Sequence, residues 1–258
     1  MLKTADVVFL PELLSGANRN SELYPKGFSA RQAVVVVIDV IRASTTIITA
    51  LENGAEAVLP VRDVDEARES AADLKSRAVL GGERQGLPPE GFDLGNSPLE
   101  YRQADLEGRV VVLTTTNGTR ALDSVRDCGM VLIGAFTNAH AVAEYVKAKD
   151  KNFKHLLLLC AGCENTFSLE DTCCAGLIVK HLAEMHPYDL ELSDAAAASA
   201  ALYNVYHEKL LDMMRSARGG KKLIAKELGE DIAAAAVVAE SGVVPKLVND
   251  RLILDTCS

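Results

Sequence analysis

Asp39 closes an aliphatic run, Val34–Ile38, and Arg42, Ser44, Thr45 and Thr46 follow within the next seven positions. A carboxylate at the exit of a buried strand can hold a divalent cation through oxygen. An arginine followed by hydroxyls at a helix start can hold a phosphate-sized anion. Either hydroxyl alone reads as an ordinary helix cap, but beside Asp39 and Arg42 the set reads as a metal and anion site. A second cluster repeats the arrangement. The run Val110–Leu113 passes into Thr114, Thr115, Thr116, Asn117, Gly118 and Thr119, more polar groups than an Asn-Gly turn requires. Its hydroxyls, amide and glycine-freed backbone suit an anion cradle where strand ends open into a crevice.

A third cluster, 162–171, follows the run Leu156–Leu159 and ends in Glu170 and Asp171. Acids in the first turn of a helix favour its dipole, and Ser168 with Asp171 has capping-box spacing, so capping and metal binding stand level for this pair. The segment 81–98 carries five glycines and three prolines around Glu83, Arg84 and Asp93. Loops this long in compact domains are commonly binding loops or lids, and Phe92 and Leu94 give this one something to bury. It is expected to close over a ligand.

Other chemistries lack their residues. No G-x-x-x-x-G-K-[ST], G-x-G-x-x-G, G-x-S-x-G or H-E-x-x-H occurs. Cys160-x-x-Cys163 with Cys173-Cys174 invites zinc, yet adjacent helical residues point about 100° apart and Cys160 ends an aliphatic strand, so packing explains them better. Cys128 and Cys257 complete the set, read as reduced thiols. His140, His155, His181, His186 and His207 show no ligand spacing.

The elements that must position these clusters alternate. Strands are predicted at Val34–Ile38, Ala57–Val61, Ala78–Leu80, Val110–Leu113, Met130–Ile133 and Leu156–Leu159. Helices are predicted at Thr45–Glu52, Val64–Leu74, Thr119–Asp127 and Ala139–Ala148. This is the rhythm of an α/β protein: three α/β/α layers around a mainly parallel or mixed sheet. The last third is helix-rich, with Leu169–Met185, Asp194–Ser216 and Asp231–Ala239, a loop at 218–221, and a terminal hairpin over Lys246–Leu254. One domain over 1–258 is expected, with a subdivision near 160–220 as the alternative.

With 258 residues, 48% hydrophobic and 5% aromatic content, the chain can bury an aliphatic core. A formal charge of −9 repels nucleic acid and anionic membrane, so an anionic substrate must be met by local arginines or a metal. The N-terminus turns polar too early for a signal peptide and no apolar run is long enough to span a bilayer, which points to the cytoplasm. A homo-oligomer is left open.

Five ordered motifs resemble the 2-phosphosulfolactate phosphatase family: residues 39–46, 82–86, 91–98, 114–119 and 167–171. Asp231-Ile232 and Val244-Pro245 are also similar, so the resemblance covers most of the chain. It implies an α/β/α enzyme that uses Mg²⁺ to hydrolyse 2-phosphosulfolactate to sulfolactate, a step associated with coenzyme M synthesis. On that reading Asp39, Glu83, Glu170 and Asp171 are the metal candidates. Arg42, Ser44, Thr45, Arg84, Thr115, Thr116, Asn117, Gly118 and Thr119 hold the small anionic phospho-acid, with Arg120 a further cation. Catalysis falls to Asp39, Arg42, Glu83 and Asp171, the base being open among Glu83, Asp93 and Asp171. An aspartyl-phosphate route through Asp39 is weakened because Ile41 stands where a D-x-D-x-T motif has its second acid. Another phosphorylated hydroxy acid as substrate, or binding of an anionic metabolite without turnover, are the competing readings.

Overall fold

A computed structural model describes residues 2–14, 29–185 and 190–254. His186 and Cys257 lie outside the described residues. Among these, ten strands form one mixed sheet in the order β4-β5-β3-β10-β9-β6-β2-β7-β1-β8. The strands are β1 (Thr4–Val8), β2 (Ala33–Ile38), β3 (Ala57–Val61), β4 (Ala78–Gly82), β5 (Val110–Thr114), β6 (Met130–Gly134), β7 (His155–Cys160), β8 (Glu191–Leu192), β9 (Pro245–Val248) and β10 (Arg251–Leu254). Each predicted strand is present. β1 and the two-residue β8 are not among the predicted strands: Asp6 and the flanking Lys3 mask the apolar alternation of β1, and β8 is too short to show one.

The apolar runs form strands because both faces are covered. Along β2, Val34, Val36 and Ile38 enter one core, while Val35 and Val37 enter the other; along β7, Leu156 and Leu158 divide from Leu157 and Leu159 in the same way. The first core is closed by α5 (Ala139–Lys149), α6 (Leu169–Met185) and α7 (Asp194–Tyr206). The second is closed by α1 (Ala43–Glu52), α3 (Pro98–Gln103) and α4 (Gly118–Val125). These are the three layers expected. A small third cluster sets α2 (Val64–Leu74) against β3 and β5 through Ala67, Val61 and Val112.

The sheet is two parallel groups, β4-β5-β3 and β6-β2-β7-β1-β8, joined by the antiparallel β9-β10 hairpin. Asn249 and Asp250 turn it with φ of 47° and 64°. Paired positive φ matches the right-handed twist of a two-residue hairpin, and Asn and Asp tolerate it better than most residues. β10 meets β3 at Leu252 and Val58, and β9 meets β6 at Lys246 and Leu132, both antiparallel.

The C-terminal helices differ from expectation in three places. A 3₁₀ turn at 207–209 separates α7 from α8 (Leu210–Ser216), and the predicted 231–239 helix is α10 (Gly229–Ala235). Residues 218–221, expected as a loop, begin a helix, α9 (Arg218–Ile224). Gly220 is required there by close packing rather than by a turn, since a Cβ on it would lie 1.9 Å from the Met214 carbonyl oxygen. Among the described residues no helix is long and apolar enough to cross a membrane.

Candidate active site

Asp39 leaves β2 with its backbone N–H donating to Ser44 Oγ at 2.9 Å, while the Ser44 N–H donates to the Asp39 carbonyl at 2.8 Å. Thr45 Oγ1 donates to the Val40 carbonyl at 2.9 Å. These bonds fold the strand exit tightly into α1. They also correct the expectation for Ser44 and Thr45, whose buried hydroxyls serve backbone groups instead of facing a ligand. The same holds at the second cluster. Thr115 and Thr119 cap α4 reciprocally, the Thr115 N–H donating to Thr119 Oγ1 at 3.1 Å and the Thr119 N–H to Thr115 Oγ1 at 3.2 Å.

The two turns meet face to face. A Cβ on Gly118 would lie 2.7 Å from the Ala43 Cβ and 3.1 Å from Asp39 Oδ2, so only glycine lets the start of α4 approach the start of α1 so closely. Thr116 and Asn117 line the resulting cleft, and the buried Asn117 Oδ1 has no hydrogen-bond partner. The cleft encloses about 500 Å³, a volume suited to a small ligand.

Asp39, Glu83 and Glu164 line it, Glu170 and Asp171 lie near enough to Asp39 to be felt electrostatically, and geometry divides the roles of the buried four. Glu83 accepts the Thr116 N–H on Oε1 at 2.8 Å and the Gly86 N–H on Oε2 at 2.7 Å, tying the loop after β4 to the loop after β5. Asp171 accepts the Val40 N–H on Oδ1 at 2.8 Å and the Gly162 N–H on Oδ2 at 3.2 Å, tying the exits of β2 and β7. Ser168 Oγ accepts the Asp171 N–H at 3.2 Å, so half of the capping box forms while the Asp171 side chain turns to the strand exits. Both carboxylates thus position loops. Glu170 and Asp39 differ: Glu170 Oε2 is buried without a partner, and Asp39 lines the cleft while buried.

Their electrostatics follow from burial. Desolvation pushes the Asp39 carboxyl up to about 7, opposed by the Ala43 backbone N–H and reinforced by Glu83 and Glu170, with Arg42 pulling it down. Asp171 is held well above the usual carboxylate range by burial, then by Asp39 and Glu170. Glu170 is raised by burial and lowered by its own backbone and Ser168. A buried cluster of like charges with an orphaned oxygen is costly unless a counter-charge meets it. Among the described residues no three His, Cys, Asp or Glu side chains close a ready-made metal cage. Mg²⁺ keeps waters and can take as few as one or two protein carboxylates, and Asp39 and Glu170 are the residues that could hold it.

The cations are arranged differently from the expectation. Arg42 lies in the cleft wall, but Nη1 pairs with Asp231 Oδ2 at 2.7 Å, with both side chains buried, and Nη2 donates to the Gly86 carbonyl at 2.8 Å. Its fork is spent inside the protein. Asp231 in turn accepts from Ser97 Oγ, a buried chain spanning α1, α10 and the residue before α3. Arg84 also turns away from the cleft, donating to the Glu83 carbonyl at 2.7 Å, the Arg62 carbonyl at 3.1 Å and Thr114 Oγ1 at 2.8 Å. Arg120 pairs with Glu12 at 3.0 Å and donates to Asn165. The cations that composition alone did not reveal are Lys222 and Lys226, which line the cleft from α9 and just beyond it. Reading 218–221 as a loop hid them; the apolar pair Leu223-Ile224 one turn on was the signal for a helix.

The 81–98 segment is the cleft's wall. Phe92 and Leu94 pack into the cores as expected, Asp93 is exposed and accepts the Leu80 N–H at 2.8 Å, and Tyr101 Oη donates to the Gly95 carbonyl at 3.0 Å. Cys160, Cys173 and Cys174 are free, buried thiols held above their ordinary range by desolvation, which suits packing rather than ligation.

Residues 20–250 match the family described as 2-phosphosulpholactate phosphatase. A probable 2-phosphosulfolactate phosphatase of Caldanaerobacter subterraneus subsp. tengcongensis is 42% identical over 218 residues, 83% of this chain and 88% of the relative. One of Thermotoga maritima is 40% identical, covering 85% and 91% of the two chains. One of Pseudothermotoga lettingae is 36% identical, covering 96% and 97%. The fold, the buried acids and these alignments agree, and the chain belongs to the 2-phosphosulfolactate phosphatase family.

Proposed function

We propose that this protein is a Mg²⁺-dependent phosphatase that hydrolyses 2-phosphosulfolactate to sulfolactate and phosphate. The observation that carries the reading is the pair of buried acids, Asp39 and the half-partnered Glu170, beneath a cleft lined by Arg42, Lys222 and Lys226. A receptor for an anion alone gains nothing from buried carboxylates that repel it. A site that must hold a cation and a phosphorylated acid together needs both signs. The names of the relatives supply the substrate.

Asp39 and Glu170 would hold the metal. When bound, Mg²⁺ supplies positive charge to the phosphoryl oxygens. The chain's own groups do the rest. Asp171 and Glu83, with both oxygens on backbone amides, hold the four loops in register and so fix Asp39 relative to the α4 turn. Thr116 and Asn117 face the cleft from that turn, and the unpartnered Asn117 amide oxygen is a candidate to fix the attacking water. Water adds to phosphorus, the ester P–O bond breaks, and the leaving alkoxide takes up a proton. The proton that the attacking water loses balances the one that the leaving alkoxide gains.

Phosphate release from 2-phosphosulfolactate, from other small phosphorylated hydroxy acids and from no substrate, each with Mg²⁺ or with EDTA, tests this. Release that is specific and lost in EDTA is expected. Release unaffected by EDTA removes the metal, and preference for another phospho-acid removes the named substrate. We place the activity in the cytoplasm.

A further inference from the structure

Three cations line the cleft, and two of them already have partners: Arg42 is paired with Asp231 and Lys222 with Glu164. Among the described residues Lys226 has no carboxylate within ion-pair distance. Its stem runs past Gly86, where a Cβ would lie 3.2 Å from Lys226 Cδ, and the Gly86 carbonyl accepts from Arg42 Nη2 at 2.8 Å. The lysines come from a different part of the chain than the acids, which sit at strand exits and the start of α6. One cleft is therefore served by two chemically distinct walls.

Glu164 is held against α9 by its own turn. Cys163 and Thr166 exchange backbone hydrogen bonds of 2.9 and 3.0 Å around Glu164 and Asn165, whose φ values of 51° and 58° are uncommon for such residues. The turn presents Glu164 to Lys222 and, at 3.2 Å, to Arg218 Nη2. The carboxylate is exposed, so it is a counter-ion that another anion can displace.

We propose that Lys226, together with Lys222, forms the subsite for the sulfonate of the substrate, and that the sulfonate displaces Glu164 from Lys222. This rests on the function proposed above. A sulfonate presents three oxygens in a tetrahedral cone and stays ionised at all working pH. An ammonium group, a compact charge with three rotatable donors, meets that shape without a planar match. A planar carboxylate would match a guanidinium fork better, and the cleft's one lining arginine, Arg42, already spends its fork on Asp231 and the Gly86 carbonyl. Lys226 is thus a specificity-determining residue, distinct from the groups that handle the phosphate.

The test compares 2-phosphosulfolactate with 2-phospholactate, which lacks the sulfonate, on the full-length wild type and on Lys226→Gln, Lys222→Gln and Glu164→Gln, with Mg²⁺ present and folding checked by circular dichroism. Losing a charge-assisted hydrogen bond corresponds to about a 10- to 100-fold change. Lys226→Gln is therefore expected to raise KM for 2-phosphosulfolactate by about 10-fold or more, with a much smaller effect on kcat and on 2-phospholactate. Glu164→Gln should lower KM for 2-phosphosulfolactate. Equal losses on both substrates would reduce Lys226 to a general contribution to the field, and unchanged KM would leave it a solvated rim lysine; either overturns the proposal. If the wild type turns over neither compound, the proposed function fails, and calorimetry with sulfolactate and lactate then decides the subsite alone. Sulfolactate binding that Lys226→Gln weakens sustains it; no preference of the wild type for sulfolactate over lactate sinks it.

Discussion

Asp39→Asn should stabilise the metal-free protein while abolishing its activity. Asp39 is buried, and its carboxyl is pushed from 3.8 up to about 7, chiefly by desolvation. A raised carboxyl means the folded state binds its proton more tightly than the unfolded chain does. The resulting stability is fully present below about pH 4 and is lost as pH rises through about 7. At about 1.4 kcal/mol per tenfold, the displacement corresponds to about 4 kcal/mol lost by pH 8. Asparagine cannot ionise, yet its Oδ1 can still accept the Ala43 N–H. The variant should therefore exceed the parent by only about 1 kcal/mol near pH 4.5 and by up to about 4 kcal/mol at pH 8 in EDTA, a Tm rise on the order of 10 °C for a chain of this size.

Magnesium should reverse the comparison. Protons compete with the cation for Asp39, so the parent's Mg²⁺ affinity should climb as pH rises through about 7, and its Tm at pH 8 should increase with added Mg²⁺. The variant should show little of either response. Thermal unfolding at pH 4.5 and 8, each in EDTA and in Mg²⁺, reads out all four states, and phosphate release is measured alongside. A variant less stable than the parent at pH 8 in EDTA, or one that Mg²⁺ stabilises as much as the parent, would refute the reasoning.

Asp231→Asn should cost about 3–5 kcal/mol by urea unfolding, because it strands the buried Arg42 guanidinium, and Arg42→Lys should lower kcat/KM by disturbing the wall that Gly86 shares. A loss under 1 kcal/mol for Asp231→Asn would mean that Arg42 finds another partner. Gly118→Ala should destabilise by about 1–3 kcal/mol and reduce kcat, since the added carbon meets Ala43 and Asp39; a fully active, equally stable variant would show that the α1 and α4 starts are further apart. Cys160→Ser and Cys173→Ser should keep Mg²⁺-dependent activity, and stoichiometric zinc lost with either would contradict the packing role.

The strands were legible because nearly every one is a run of aliphatics with both faces covered, and the alternation of Val34 through Ile38 between two cores needs no partner identity to be read. β1 was not legible: Asp6 interrupts it, and its place beside β7 is set by tertiary pairing rather than local pattern. The meeting of Asp39 with the 162–171 turn was also legible, since β2 and β7 are parallel neighbours whose exits fall together, but the meeting with the β4 and β5 exits was not, because three antiparallel pairings separate the two groups. Which polar residues face the cleft was not legible either. Ser44, Thr45, Thr119 and Arg84 have the right chemistry, but each strand exit leaves backbone groups that must find partners, and these side chains are the nearest ones available.

That demand explains the division of labour among the acids. A buried turn exposes amides with no ladder to join, and a carboxylate that accepts two of them is worth more to the fold than a neutral acceptor, as Glu83 and Asp171 show. The cost is a concentration of negative charge that raises the carboxyls left over. Glu170 keeps one oxygen without a partner and Asp39 takes the Ala43 amide, so both carry that cost with less compensation than Glu83 and Asp171. Sequence types the four acids alike; only the count of amides each receives separates Glu83 and Asp171 from Asp39 and Glu170.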